Sequence, residues 1–255
     1  MTNECRHSFY TVPEDFRPFN PRGVFWNYQR NLPHWRQPGA TYFITFRLND
    51  SLPKAFVEQI QREHQAWQER ISHELSLHDG TLPESIQEDH QAWQLRHWRK
   101  AEALMDECHG SCLFRQPQIR DIVARSLVHF EAVRHHMHGY VIMPNHVHLA
   151  CQPFEDHEIE DLLQSWKGFT SREIAKATGH PGQLWQHDNW NRIIRDEAHW
   201  QRVMRYISRN PEKAKLRHGE STVWIAERCK SVERTSKFVL NEPGQSYSHE
   251  EDQPW

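Results

Sequence analysis

Two histidines, His146 and His148, stand one residue apart inside the run GYVIMPNHVHLACQP, residues 139–153. Side chains alternate faces along a β-strand, so residues i and i+2 point the same way. Val141, Ile142, Met143, Val147 and Leu149 supply a strand-like background, and Pro144-Asn145 interrupts it as a turn. Two strands joined there carry both imidazoles on one face, near the start of the second strand. Such a face is either a polar oddity of the core or a metal site.

A second group that could do chemistry lies in EAHWQRVMRYISRNPEKAKL. Trp200, Val203, Met204 and Ile207 form the apolar stripe of a helix, which Pro211 is expected to end or break. Tyr206 and Asn210 are four residues apart, about 40° around the helix from each other, on the flank of that stripe. Arg195, His199 and Arg202 share the flank. A tyrosine in such a place is ordinary packing when it stands alone. Joined to two imidazoles, one side-chain oxygen completes a three-ligand site with open positions, suited to a divalent cation that polarises a phosphate oxygen. A tyrosine one helical turn from that oxygen is then placed to attack phosphorus. Its free pKa of about 10 makes it a poor nucleophile unless a cation or base stands nearby.

The elements that must position these groups follow from periodicity. TYFITFRL, residues 41–48, reads as a first strand. Long, charged helices fill the stretch from about 50 to 110, and another helix runs from Gln118 to about Arg134. After the histidine pair, HEIEDLLQSWKGFTSREIAKATG is a clear amphipathic helix with Gly179 as its stop. Trp185, Trp190, Ile193 and Ile194 mark a further strand before the tyrosine helix. Residues 1–38 read as an extended arm, 39–218 as the functional domain with its helical insertion, and 219–255 as a polar tail.

Composition bounds the rest. The chain has 255 residues, 12 Phe and 11 Trp, so it can bury a sizeable core. No stretch approaches the ~18 continuous apolar residues of a membrane span. The first residues lack the apolar core of a secretory signal, and five cysteines at irregular spacing do not form a disulfide framework. A cytoplasmic protein with reduced thiols is expected. The net charge of −3 conceals an asymmetry. Residues 164–218 carry eleven Lys and Arg against five Asp and Glu, whereas residues 50–110 carry six against twelve. A basic region compatible with nucleic acid is masked by acidic segments elsewhere.

Taken in order, PHWRQPGATYFITFRL, HGSC, VIMPNHVHL, SWKGFTSREI, LWQ, RIIRDE and RYISRNPEKAKL resemble the single-tyrosine HUH transposases, and within them the REP-associated tyrosine transposases. The matching segments span residues 33–217. The resemblance implies an α+β, ferredoxin-like antiparallel sheet with packed helices and the histidine pair on a central strand. It implies His146, His148 and Asn210 as ligands of Mg2+ or Mn2+, and Tyr206 as a nucleophile that cuts single-stranded DNA and leaves a 5′-phosphotyrosine. The partner it implies is palindromic, hairpin-forming repeat DNA, bound by a monomer or homodimer without a membrane. Lys167, Arg172, Arg192, Arg195 and Arg202 are the candidate DNA contacts.

Three other classes compete. A histidine-triad nucleotide hydrolase needs His-x-His-x-His, but Ala150 stands in the third place. A catalytically silent DNA-binding protein of the same fold keeps every residue named above. A zinc-binding structural module draws on RHHMHG (His135, His136, His138) or on Cys108, His109 and Cys112, without a second pair at finger spacing.

Overall fold

The computed structural model describes residues 10–29, 33–179 and 182–231. Strands β1 (Trp26–Gln29) and β2 (Pro33–Arg36) pair antiparallel as a small separate sheet. The main sheet begins with β3 (Tyr42–Arg47). A helical pair follows, α1 (Lys54–Leu77) and α2 (Glu84–Asp106), then α3 (Pro117–Val128), β4 (His135–Ile142), β5 (His146–Pro153) and α4 (Ile159–Thr178). The described chain closes with β6 (Trp190–Ile193), α5 (Glu197–Lys213) and β7 (Thr222–Ile225).

The five-stranded sheet has the order β6-β3-β5-β4-β7, antiparallel throughout. Leaving out the inserted pair α1–α2 and the added elements α5 and β7, the order β3-α3-β4-β5-α4-β6 is a β-α-β-β-α-β unit. This is the expected α+β, ferredoxin-like arrangement. β5 is the middle strand, and all eight of its residues are buried. Helices cover both of its faces, so even its polar residues His146, His148 and Gln152 are buried.

The two faces differ. Tyr42, Ile44 and Phe46 of β3, with Val147, Leu149 and Cys151 of β5, turn toward α3 and α4 and form the larger core. Phe43 of β3 and Ala150 of β5 turn toward α5, whose Trp200, Val203, Met204, Tyr206 and Ile207 complete a second core. His146 and His148 share the face of Phe43 and Ala150, because β3–β5 pairing sets Phe43 opposite Ala150, Thr45 opposite His148 and Arg47 opposite His146.

Helix ends are set by local chemistry. Asp196 caps α5 by accepting the His199 backbone N–H at 2.6 Å, and Glu197 sits in the first turn. Gly179 ends α4 in the left-handed region, φ 66°. Pro211 does not end α5; the helix continues through it to Lys213. Only one backbone bond is forfeited so near the C-terminus, and the Ala214 N–H still reaches the Asn210 carbonyl at 3.0 Å. The segment expected to be an arm contributes β1 and β2, and the segment expected to be a tail contributes β7 as an edge strand. Strands of four residues are too short to show a period. Residues 232–255, including the acidic ending, lie outside the described residues.

Trp200 is fully buried between α5 and the sheet, against Phe16 and His138. Trp200→Ala is expected to lower stability by about 3–5 kcal/mol, read from the shift in urea-unfolding free energy.

Candidate functional site

The two imidazoles converge. His146 Nε2 lies 3.0 Å from His148 Nε2, with the rings nearly perpendicular at 79°. Each Nδ1 is engaged on the opposite side: His146 Nδ1 at 2.7 Å from Asn145 Oδ1, and His148 Nδ1 at 2.6 Å from Thr45 Oγ1. Asn145 is itself fixed, since its Nδ2 donates to the His109 carbonyl at 3.0 Å. Its Oδ1 therefore only accepts, so His146 carries its proton on Nδ1 and keeps a lone pair on Nε2. The Thr45 hydroxyl can donate to His148 Nδ1 or accept from it, so His148 is free to present either a proton or a lone pair at Nε2.

Burial keeps this pair neutral. It pushes His146 down to about 3, with Lys213 and Arg47 adding to the effect. Burial likewise holds His148 well below the usual histidine value, helped by His146 and Lys213.

Helix α5 brings the tyrosine. Tyr206 Oη lies 3.3 Å from His148 Nε2, and the Tyr206 ring meets the rings of His148 and Phe43 edge-on. Phe43 stacks on His148 from the neighbouring strand, so both partners of the hydroxyl contact are wedged in place. Asn210, one turn further along α5, is 1% exposed, and both its Oδ1 and Nδ2 are buried without a hydrogen-bond partner. A buried amide left unpaired is costly. Two convergent imidazole nitrogens and the orphaned amide oxygen of a buried residue one turn beyond Tyr206 are donor types that fit a divalent cation with nitrogen and oxygen ligands. Among the described residues, no group of three or more His, Cys, Asp or Glu could hold a metal. Such a site needs the asparagine.

Lys213 closes the arrangement. Its Nζ is 5.3 Å from the centre of the Tyr206 ring, 3.2 Å from Asp106 Oδ2 and 3.7 Å from Glu102 Oε1. Burial pushes Glu102 up to about 8 and raises Asp106 as well. The shorter contact, with Asp106, is the ionic one. The last turn of α2 thus anchors a cation beside the tyrosine.

The expected DNA contacts separate into two groups. Arg192 pairs across from Phe43 and lies on the histidine face; Arg195 precedes α5 and Arg202 lies in its second turn. Lys167 and Arg172 belong to α4, on the other side of the sheet. Lys167 Nζ is occupied by the carbonyls of Gln186 and His187 at 3.0 and 3.1 Å, and burial lowers it to about 8. Arg172 is exposed. The RHHMHG histidines do not assemble. His135 faces Trp166, His138 faces Trp200, and His136 lies near Asp15 and Glu131.

Sequence reasoning missed Thr45, Lys213, Glu102 and Asp106, and took Asn145 only as a turn residue. Thr45 emerges from strand register, and the two acids from tertiary packing of the inserted helices. The HGSC match was the available signal for Asn145, because the His109 carbonyl holds that side chain.

With this geometry in view, one comparison bears on the site. Residues 117–210 match the family model "Transposase IS200 like". The IS200-like segment runs from the start of α3 to Asn210 and contains both histidines and the tyrosine; it leaves out β3, α1 and α2. The resemblance read from the motifs is supported, and with it a transposase-like role. A REP-associated tyrosine transposase solved with a REP hairpin is 14% identical over 73% of this chain and 72% of its own, with a TM-score of 0.37. A candidate transposase from Deinococcus radiodurans R1 is also 14% identical, over 75% and 97%, with a TM-score of 0.31. No curated protein matches the chain. Among the described residues, no helix is long and apolar enough to cross a membrane.

The buried histidine outside the pair gives a pH prediction. Burial pushes His138 down to about 3, so the folded state resists protonation that the unfolded chain accepts near 6.5. This contribution to stability is fully present above pH 6.5 and is lost as pH falls toward 3. At pH 5 the loss is about 2 kcal/mol. Urea unfolding at pH 7 and pH 5 is expected to show that much less acid sensitivity in His138→Leu than in wild type.

Proposed function

We propose that this protein is a metal-dependent, single-strand-specific DNA endonuclease and strand transferase acting on hairpin-forming repeat DNA. The observation that carries the reading is the Tyr206 hydroxyl at 3.3 Å from one member of a buried, convergent imidazole pair. His146, His148 and the Asn210 amide oxygen would hold the cation, Mg2+ or Mn2+. When bound, it supplies polarisation of a non-bridging phosphate oxygen.

The chain's own residues do the rest. Tyr206 gives up its phenolic proton as Oη attacks the phosphorus and forms an O–P bond; the P–O3′ bond breaks, and the departing oxygen takes up a proton to become a free 3′-hydroxyl, so the proton lost by the phenol balances the one gained. The 5′ side remains on the tyrosine as a phosphodiester, so rejoining to another 3′-hydroxyl needs no nucleotide cofactor. Lys213 favours the negative charge that develops on the phenolic oxygen. Asn145 and Thr45 hold the imidazoles by their Nδ1 atoms, the outer contacts that orient histidine ligands. Arg192, Arg195 and Arg202 would bind the DNA backbone. A histidine-triad hydrolase finds no third histidine, since Ala150 packs in the core.

The test uses labelled single-stranded oligonucleotides copied from the repeats flanking the gene, with Mg2+ or Mn2+, resolved on a denaturing gel. Wild type is expected to form a covalent protein–DNA adduct and Tyr206→Phe to form none. An adduct that survives the substitution identifies a different nucleophile and overturns the assignment. Binding without any adduct favours the catalytically silent DNA-binding protein. His146→Ala and His148→Ala are each expected to abolish cleavage while most DNA binding, measured by gel shift, is kept. Thr45→Val removes one imidazole support and is expected to lower the cleavage rate by roughly 10- to 100-fold.

A further inference from the structure

The inserted helices α1 and α2 enclose a cleft against the sheet, with a volume of about 600 Å3, in the range of small-molecule sites. Thr45 and Arg47 form part of its wall. Thr45 is the residue bonded to His148, and Arg47 lies opposite His146, so the cleft adjoins the histidine pair. The remaining wall is aromatic and amide-bearing. Trp98 of α2 stacks on Trp190 of β6 at 4.6 Å, and Trp93 lines the same space, flanked by His64. Gln94 also lines it. This residue is only 6% exposed, and its Nε2 is buried without a partner. Flat apolar rings beside an unpaired amide donor suit a planar heteroaromatic group with acceptor atoms on its edge. Asp188 on the wall disfavours a phosphate there.

The geometry points to this cleft as a binding site for one unstacked nucleobase of the single-stranded DNA held at the histidine pair. The inference rests on the strand-transfer reading for the DNA itself, and it gives the inserted helices a role. The IS200-like match does not extend over those helices. Their acidic character is consistent with it: a base needs stacking and edge hydrogen bonds, whereas a backbone groove needs cations.

The test separates the two readings. Full-length protein carrying Tyr206→Phe is titrated with hairpin oligonucleotides from the flanking repeats, with a single abasic site stepped through the unpaired nucleotides. One position is expected to lose roughly 5- to 100-fold in affinity when its base is removed. Adding Gln94→Ala, or in a second protein Trp98→Leu, weakens the intact probe but not the probe abasic at that position. Circular dichroism and urea unfolding of each variant are read first, so that a loss of binding is compared between folded proteins. If no position is sensitive, or if the variants weaken intact and abasic probes equally, the cleft is structural and the inference is overturned. Cleavage is read separately with Tyr206 present. An adduct without abasic coupling overturns the cleft alone, whereas coupling without an adduct overturns strand transfer alone. No binding to any single-stranded probe overturns both.

Discussion

Two neutral imidazoles facing each other across 3.0 Å in the middle of a sheet form the constraint on which the rest of this structure depends. Nitrogen lone pairs at that distance repel unless a proton or a cation lies between them. The protein fixes this situation rather than avoiding it. Asn145 locks the tautomer of His146, Thr45 keeps both options open for His148, and complete burial bars protonation from water as a way out. The fold supplies what the pair needs: a strand covered on both faces, a neighbouring strand in register to present Thr45, and a helix that lowers Tyr206 and Asn210 onto the same side.

Charge is distributed to match. The cation of Lys213 stands close enough to depress both histidines, and Asp106 of α2 keeps it there. From the acidic insertion, the buried Glu102 and the half-buried Asp106 reach Lys213. Outside it, Arg192 pairs across from Phe43 on the histidine side of the sheet.

Much of this was legible in the sequence, for a physical reason. The i, i+2 spacing of His146 and His148 and the i, i+4 spacing of Tyr206 and Asn210 are set by strand and helix periods, which hold wherever those elements pack. That the tyrosine and asparagine turn into the core, rather than lying on its flank, depends on how α5 is rolled against β4 and β5, which no period states. Pro211 misled because its cost depends on how many turns remain after it. β7 was hidden in a tail because Thr222–Ile225 has too few residues to show alternation, and its place is settled by pairing with β4. Thr45 and Asp106 could not be found from spacing, since each reaches the site through a partner distant in the chain.

The most direct test of the central claim is pulsed electron paramagnetic resonance of the protein loaded with Mn2+, which reads the nitrogen atoms bound to the ion. The account predicts coupling to two imidazole nitrogens, reduced to one in His146→Ala or in His148→Ala, and weaker Mn2+ affinity without loss of either nitrogen in Asn210→Ala. Tight Mn2+ binding with no imidazole coupling, or coupling unchanged in both histidine variants, would contradict it.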